Sequence, residues 1–217
     1  MSLSPLARLL KGKRLLIFDL DGTLVDSSPL HARAFRDAFA DTGIAVDYAT
    51  IAGLVTEDAV DKLLADAGRE ADAGERKALV DDKRRRAADL IAGELQPMAG
   101  AVEFVRRARA LFRTALCTSA SRAGAELALE KSGLNGQFQI MLTAEDVHAG
   151  KPDPEMFLKA VALAETSPAE TVVFEDAPSG LAAADNAGID AVRIVPMREP
   201  DGEDWPSMLA VLKELGG

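Results

Sequence analysis

The sequence predicts an α/β fold: a doubly wound parallel sheet of about five strands that carries an inserted helical cap domain. Short apolar runs recur at residues 14–18 (RLLIF), 114–117 (TALC), 138–142 (FQIML), 171–174 (TVVF) and 191–195 (AVRIV), with helical patterning between them. Strands that alternate with helices pair in parallel and are covered on both faces, so they read as near-continuous apolar runs. Between the first and second runs lie roughly ninety residues with no comparable β pattern, far more than the dozen or so a crossover needs.

Arg8, Lys11, Lys13 and Arg14 interrupt the apolar N-terminal stretch, so no leader peptide is read there. The first strand, 14–18, stops abruptly at an acidic turn containing Gly22. Leu30, Ala34, Phe35, Ala38 and Phe39 then repeat at helical spacing, as do Ala59, Val60, Leu63, Leu64 and Ala67, and next Leu79, Val80, Ala87, Leu90 and Ile91. The insertion therefore reads as a helical bundle over residues 28–96. Pro97 and Gly100 punctuate the return, and residues 100–111 form the next core helix. Further helices begin at Pro154 and run over 179–187. The expected division is a core of residues 1–27 and 97–217 and a cap of residues 28–96.

At 217 residues the chain is long enough for such a core plus insertion. Lys and Arg total 25 against 35 Asp and Glu, and the net charge of -10 repels nucleic acid and anionic membranes. The basic run Lys83-Arg84-Arg85-Arg86, preceded by Asp81-Asp82, reads as a solvated helix face. A single cysteine, Cys117, excludes an intramolecular disulfide and fits a reducing, cytoplasmic compartment. No segment reaches membrane-spanning length without charges.

Four features fall at the carboxyl ends of expected strands, where ligands bind in an open parallel sheet. Asp19-Leu20-Asp21-Gly22-Thr23 brings two carboxylates together in one turn; alone, such a turn is more often a helix cap or loop than a catalytic site. Thr118-Ser119 offers hydroxyls and amides at a helix start, suited to phosphate oxygens or to ordinary capping. Gly150-Lys151-Pro152-Asp153-Pro154 fixes a lysine just before a helix, and Glu175-Asp176 ends another buried strand. Taken together, two acidic pairs, a lysine and a hydroxyl pair describe a magnesium site beside a phosphate site.

In order and spacing, DLDGT, TS, GKPDP and ED resemble the four motifs of the haloacid dehalogenase superfamily, in the subgroup of sugar phosphatases, phosphoglycolate phosphatases and β-phosphoglucomutase. The resemblance covers nearly the whole chain and implies a role for each residue. Asp19 becomes the nucleophile that forms an aspartyl phosphate, and Asp21 the general acid and then base. Mg2+ is held by Asp19, the Asp21 carbonyl and Asp176, with Glu175 as a further ligand. Lys151 neutralises the transferring group, while Thr118 and the Ser119 amide bind its oxygens. Members that break carbon–halogen bonds lack the second aspartate, so Asp21 points to phosphoryl transfer.

The cap chooses the substrate in such proteins, with hinges expected near residues 25–28 and Pro97. His31 lies on the edge of the first cap stripe and reads equally as packed or substrate-facing. Lys83 interrupts the third stripe, either snorkelling or turned toward an anionic substrate. Thr56 stands where the mutase carries an arginine for a second phosphate, which weakens the mutase reading. Cys117 reads as a small buried residue and His148 as a loop residue. The expected activity is a phosphatase for a small phosphorylated metabolite of the sugar phosphate kind, as a monomer or weak homo-oligomer. The runner-up is a hexose phosphomutase, and the third reading is a non-catalytic binding protein. Loss of catalysis would ordinarily remove one of Asp19, Asp21, Lys151 or Asp176, and all four are present.

Overall fold

A computed structural model describes residues 4–195 and 203–216, so residues 1–3, 196–202 and 217 of the expected core lie outside the described residues. The strands β1 (Leu15–Phe18), β2 (Arg113–Cys117), β3 (Ile140–Leu142), β4 (Thr171–Glu175) and β5 (Asp190–Arg193) pair in parallel in the order β3-β2-β1-β4-β5. The helices are α1 (Pro5–Leu10), α2 (Ser28–Ala38), α3 (Thr56–Asp66), α4 (Ala73–Glu94), α5 (Ala101–Ala108), α6 (Arg122–Ser132), α7 (Glu155–Leu163), α8 (Pro178–Asn186) and α9 (Trp205–Gly216). Helices α2, α3 and α4 occupy the stretch between β1 and β2 where the sequence lacks β pattern.

Alternation along β1 builds the core. Leu16 and Phe18 face one side, against Leu6 and Leu10 of α1, Phe104 of α5, Leu129 of α6 and Met208 of α9. Leu15 and Ile17 face the other, against Met156 and Phe157 of α7 and Ala183 of α8. Both faces are therefore covered, as the apolar runs require. On the first face Phe18, Phe104, Phe174 and Trp205 form an aromatic cluster, with ring centroids 5.0 Å apart for Phe18 and Phe174 and 4.9 Å for Phe104 and Trp205. The cap has its own core of Phe35, Phe39, Ile51, Val60, Leu63, Leu64 and Leu79.

The edge strands depart from expectation. Thr114 donates its N–H to the Gln139 side-chain Oε1 at 2.7 Å, so the ladder to β2 begins only at Ile140 rather than at residue 138. The run at 191–195 is paired over Asp190–Arg193, and Ile194 bridges to Glu203 instead. Pro154 is the N-cap of α7 rather than its first residue. The two cap linkers run side by side: Asp26 donates to the Gln96 carbonyl and Met98 to the Leu24 carbonyl, both at 2.9 Å, and Val25 bridges Pro97.

Candidate active site

Strand register brings the four sequence features together. Phe18 is level with Leu116 on one side and Phe174 on the other, so the next residues, Asp19, Cys117 and Glu175, emerge side by side at the carboxyl end of the sheet. The Asp19 N–H donates to the Phe174 carbonyl at 3.0 Å, which carries the strand pairing one residue into the acidic turn.

Lys151 enters this group from the loop before α7 and is 2% exposed. Its ammonium donates to Asp19 Oδ1 at 2.6 Å, Glu175 Oε2 at 2.7 Å and the Cys117 carbonyl at 3.2 Å, so all three donors are used. Glu175 Oε1 in turn accepts from the Asp176 and Ala177 amides. Burial opposes the Lys151 charge, but Asp19 and Glu175 outweigh it and raise its pKa. Burial, then the Glu175 charge, push Asp19 well above the usual carboxylate range despite Lys151. The same two causes raise Asp176 to about 7, against a hydrogen bond from Thr23.

One carboxylate oxygen each from Asp19, Glu175 and Asp176 lie within 4.8 Å of one another. Carboxylates crowded until their pKa values rise fit a hard divalent cation bound through oxygen. The turn itself is shaped for this approach. Gly22 has φ +88°, and a Cβ there would stand 2.2 Å from Asp176 Oδ2, so no other residue fits.

Asp21 lies on the cap side. Ser27 precedes α2 as its N-cap, yet its hydroxyl makes no capping bond and donates instead to Asp21 Oδ1 at 2.6 Å. His31 Nε2, one turn into α2, lies 3.0 Å from the same oxygen. Burial raises the Asp21 pKa, but the His31 charge and hydrogen bond, Ser27 and Lys83 prevail and hold it at about 2. Lys83 is buried in the cap core, its Nζ 3.3 Å from both His31 Nδ1 and Thr56 Oγ1 and 4.6 Å from the centre of the Phe35 ring. Its own pKa is drawn down to about 8 by burial, against the pull of Asp21. Lys83 is therefore turned inward, and His31 and Thr56 join it at the cap–core boundary.

Thr118 and Ser119 line the same cavity of about 50 Å³, together with Asp19, Asp21, Asp176 and Tyr48. The Thr118 hydroxyl accepts from the Ala120 N–H at 3.0 Å, leaving its own proton to donate. The Ser119 hydroxyl is turned to the cap, donating to the Gly53 carbonyl at 2.8 Å, while Ser179 donates to the Ala52 carbonyl at 3.2 Å. His148 stays outside, its Nδ1 3.0 Å from Glu155 Oε1. Cys117 is buried and free, its thiol pKa raised by burial.

Several residues of the site carried no assignment in the sequence. Ser27 falls within the expected hinge at 25–28, Thr23 ends the acidic turn, and Tyr48, the chain's single tyrosine, belongs to no sequence motif. The Thr23 hydroxyl donates to Asp176 Oδ1 at 2.8 Å, and its carbonyl accepts from Trp205 Nε1 at 2.8 Å. Tyr48 lines the cavity beside the carboxylates, and burial followed by the Asp21 charge raises its pKa.

A family model for haloacid dehalogenase-like hydrolases matches residues 13–188. The chain is 32% identical over 180 residues to the phosphorylated carbohydrates phosphatase of Thermotoga maritima, covering 81% of this chain and 82% of that one. It is 30% identical over 186 residues to the fructose-1-phosphate phosphatase YqaB of Escherichia coli, covering 82% of this chain and 95% of the relative. Its fold superposes on the crystal structure of a hydrolase from Pseudomonas syringae with a TM-score of 0.83 at 23% identity, over 94% of this chain and 99% of that one.

Proposed function

The chain belongs to the haloacid dehalogenase-like hydrolases, and from that membership we propose that it is a magnesium-dependent phosphatase acting on a small phosphorylated metabolite, of the sugar phosphate kind. The observation that carries the reading is Lys151 buried 2.6 Å from Asp19 and 2.7 Å from Glu175, behind a cavity that Asp19 lines together with Asp21, Thr118 and Asp176. In this reading residues 1–27 and 97–217 are the catalytic core and residues 28–96 the cap. The protein works in the cytoplasm as a monomer or weak homo-oligomer, with no nucleic-acid or membrane partner. Among the described residues no helix is long and apolar enough to cross a membrane.

Asp19, Asp176 and the Asp21 carbonyl would hold the Mg2+, with Glu175 completing the group or serving it through Lys151. When bound, the cation offsets the charge that carboxylates and phosphate bring to one cavity. The chain's own residues do the rest. Lys151 orients the Asp19 carboxylate and neutralises the phosphoryl group as Asp19 attacks phosphorus and the ester oxygen leaves. The Thr118 hydroxyl and the Ser119 amide bind the phosphoryl oxygens. Asp21 rests ionised, and the incoming phosphate charge raises its pKa so that it can carry a proton to the leaving oxygen. It then takes a proton from the water that cleaves the aspartyl phosphate.

A mutase must hold a second phosphate in the cap, and Lys83 is buried there on His31 and Thr56 without an arginine beside it at Thr56. The hydrolase is therefore preferred. Incubation with Mg2+ and a panel of sugar phosphates, with and without a bisphosphate primer, separates the two. Free phosphate release is expected; primer-dependent isomerisation with little release would reverse the preference, and neither product would leave a binding protein. Asp19→Asn is expected to lower turnover by at least about a thousandfold, roughly 4 kcal/mol of barrier, and turnover near the parent level would remove the mechanism.

A further inference from the structure

The reaction cavity of about 50 Å³ has room for only a few waters, since one needs roughly 10–15 Å³. It fits a phosphoryl group and little more. Next to it lies a cleft of about 480 Å³ between the cap helix α4 and the core helix α6. The two spaces share five walls, namely Asp21, His31, Thr56, Lys83 and Ala120. Beyond these the cleft is lined by Ala87, Ala88 and Ile91 from α4 and by Ala123, Gly124 and Leu127 from α6. Its inner end is polar and its outer body is apolar.

Arg84 and Arg85, which follow Lys83 on α4, also line the cleft, and each is ion-paired. Arg84 donates twice to Glu57, at 2.8 and 2.9 Å, and Arg85 pairs with Asp82. The stretch of the cleft lined by Ala87, Ala88, Ile91, Ala123, Gly124 and Leu127 carries no charge for a second phosphate.

We propose that the α4–α6 cleft is the leaving-group subsite, and that the substrate is a phosphate monoester whose alcohol is longer than one hexose. The alcohol carries hydroxyls next to the ester, where His31, Thr56 and Lys83 stand, and an uncharged apolar portion farther out, against Ile91 and Leu127. This deepens the phosphatase reading and rests on it. The chemistry at phosphorus is unchanged; the cleft selects what is bonded to the departing oxygen.

The test compares kcat/KM for acetyl phosphate, a hexose phosphate, and the same hexose phosphate bearing a phenyl or hexyl glycoside, all with Mg2+. The glycosides should exceed the bare hexose phosphate by at least about tenfold, chiefly through KM, the effect of filling an apolar pocket by one or more methylenes. Gly124→Leu and, separately, Ala88→Leu should each collapse that ratio. A Cβ at Gly124 meets only the Ser121 hydroxyl, at 3.2 Å, so the added side chain is housed in the cleft. Turnover of acetyl phosphate with no preference for the glycosides overturns the subsite alone, as does a preference that survives both substitutions. Absence of turnover for every ester overturns the phosphatase reading and the subsite with it.

Discussion

At the scale of single residues the site is a set of side chains each holding another in place. Thr23 is fully buried and spends its hydroxyl on Asp176 Oδ1 at 2.8 Å. Without that bond Asp176 would keep its burial and its repulsion from Glu175, and lose a group that favours its charge. Thr23→Val, which keeps the shape, should raise the Mg2+ concentration for half-maximal activity about 10–100-fold, the usual cost of losing a group that orients a metal ligand. At saturating Mg2+ the kcat should recover to within a few-fold. An unchanged Mg2+ titration would mean that Thr23 serves only the turn. Ser27 plays the corresponding part for Asp21, and it shows how a helix-cap residue is diverted when a buried carboxylate is the better acceptor.

At the scale of elements, what matters is how the cap sits on the core. The loop after the Tyr48–Thr50 turn presses Gly53 against α8: a Cβ at Gly53 would lie 2.4 Å from Ser179 Oγ and 2.8 Å from Ala177 Cβ, and its φ is +79°. Gly53→Ala should hold the cap away from the core, raising KM and lowering kcat together by about tenfold or more, while the melting temperature of the core moves little. Steady-state kinetics beside a thermal melt reads both, and unchanged kinetics would show that closure tolerates the added methyl. Seats of this kind were not legible in the sequence. The strand ends were, because an apolar run that stops at Asp19 or at Glu175 marks itself. The cap helices were also legible, because Phe35, Val60 and Leu79 keep a helical period. Gly53, Tyr48 and Ser27 depend on where the insertion folds back, which no local pattern encodes. Helices α1 and α9 carried no assigned signal either; they are joined late in the chain, through Glu214 accepting from the Ser4 amide at 3.1 Å.

At the scale of the whole molecule the carboxylate cluster sets a conflict between stability and function. Asp176 titrates at about 7 in the folded chain and at the ordinary 3.8 when unfolded, and Asp19 is shifted in the same direction. The folded state then binds more protons than the unfolded one between pH about 4 and 7, so stability falls as pH rises through that window. The metal-free protein should melt at a lower temperature at pH 8 than at pH 5. Added Mg2+ should raise the melting point more at pH 8, where the carboxylates are ionised before it binds. Equal shifts at both pH values would show that the cluster is not where the cation binds. The aromatic layer under the sheet adds something of another kind. Trp205 is the chain's single tryptophan, 2% exposed, packed at a tilt against three phenylalanines and tethered through its indole N–H to the carbonyl of Thr23. With excitation at the red edge, where Tyr48 does not absorb, ultraviolet emission from this protein consequently originates at one point, one hydrogen bond from the acidic turn. The molecule carries its own optical label for the state of that turn, with no dye to attach and no second indole to subtract.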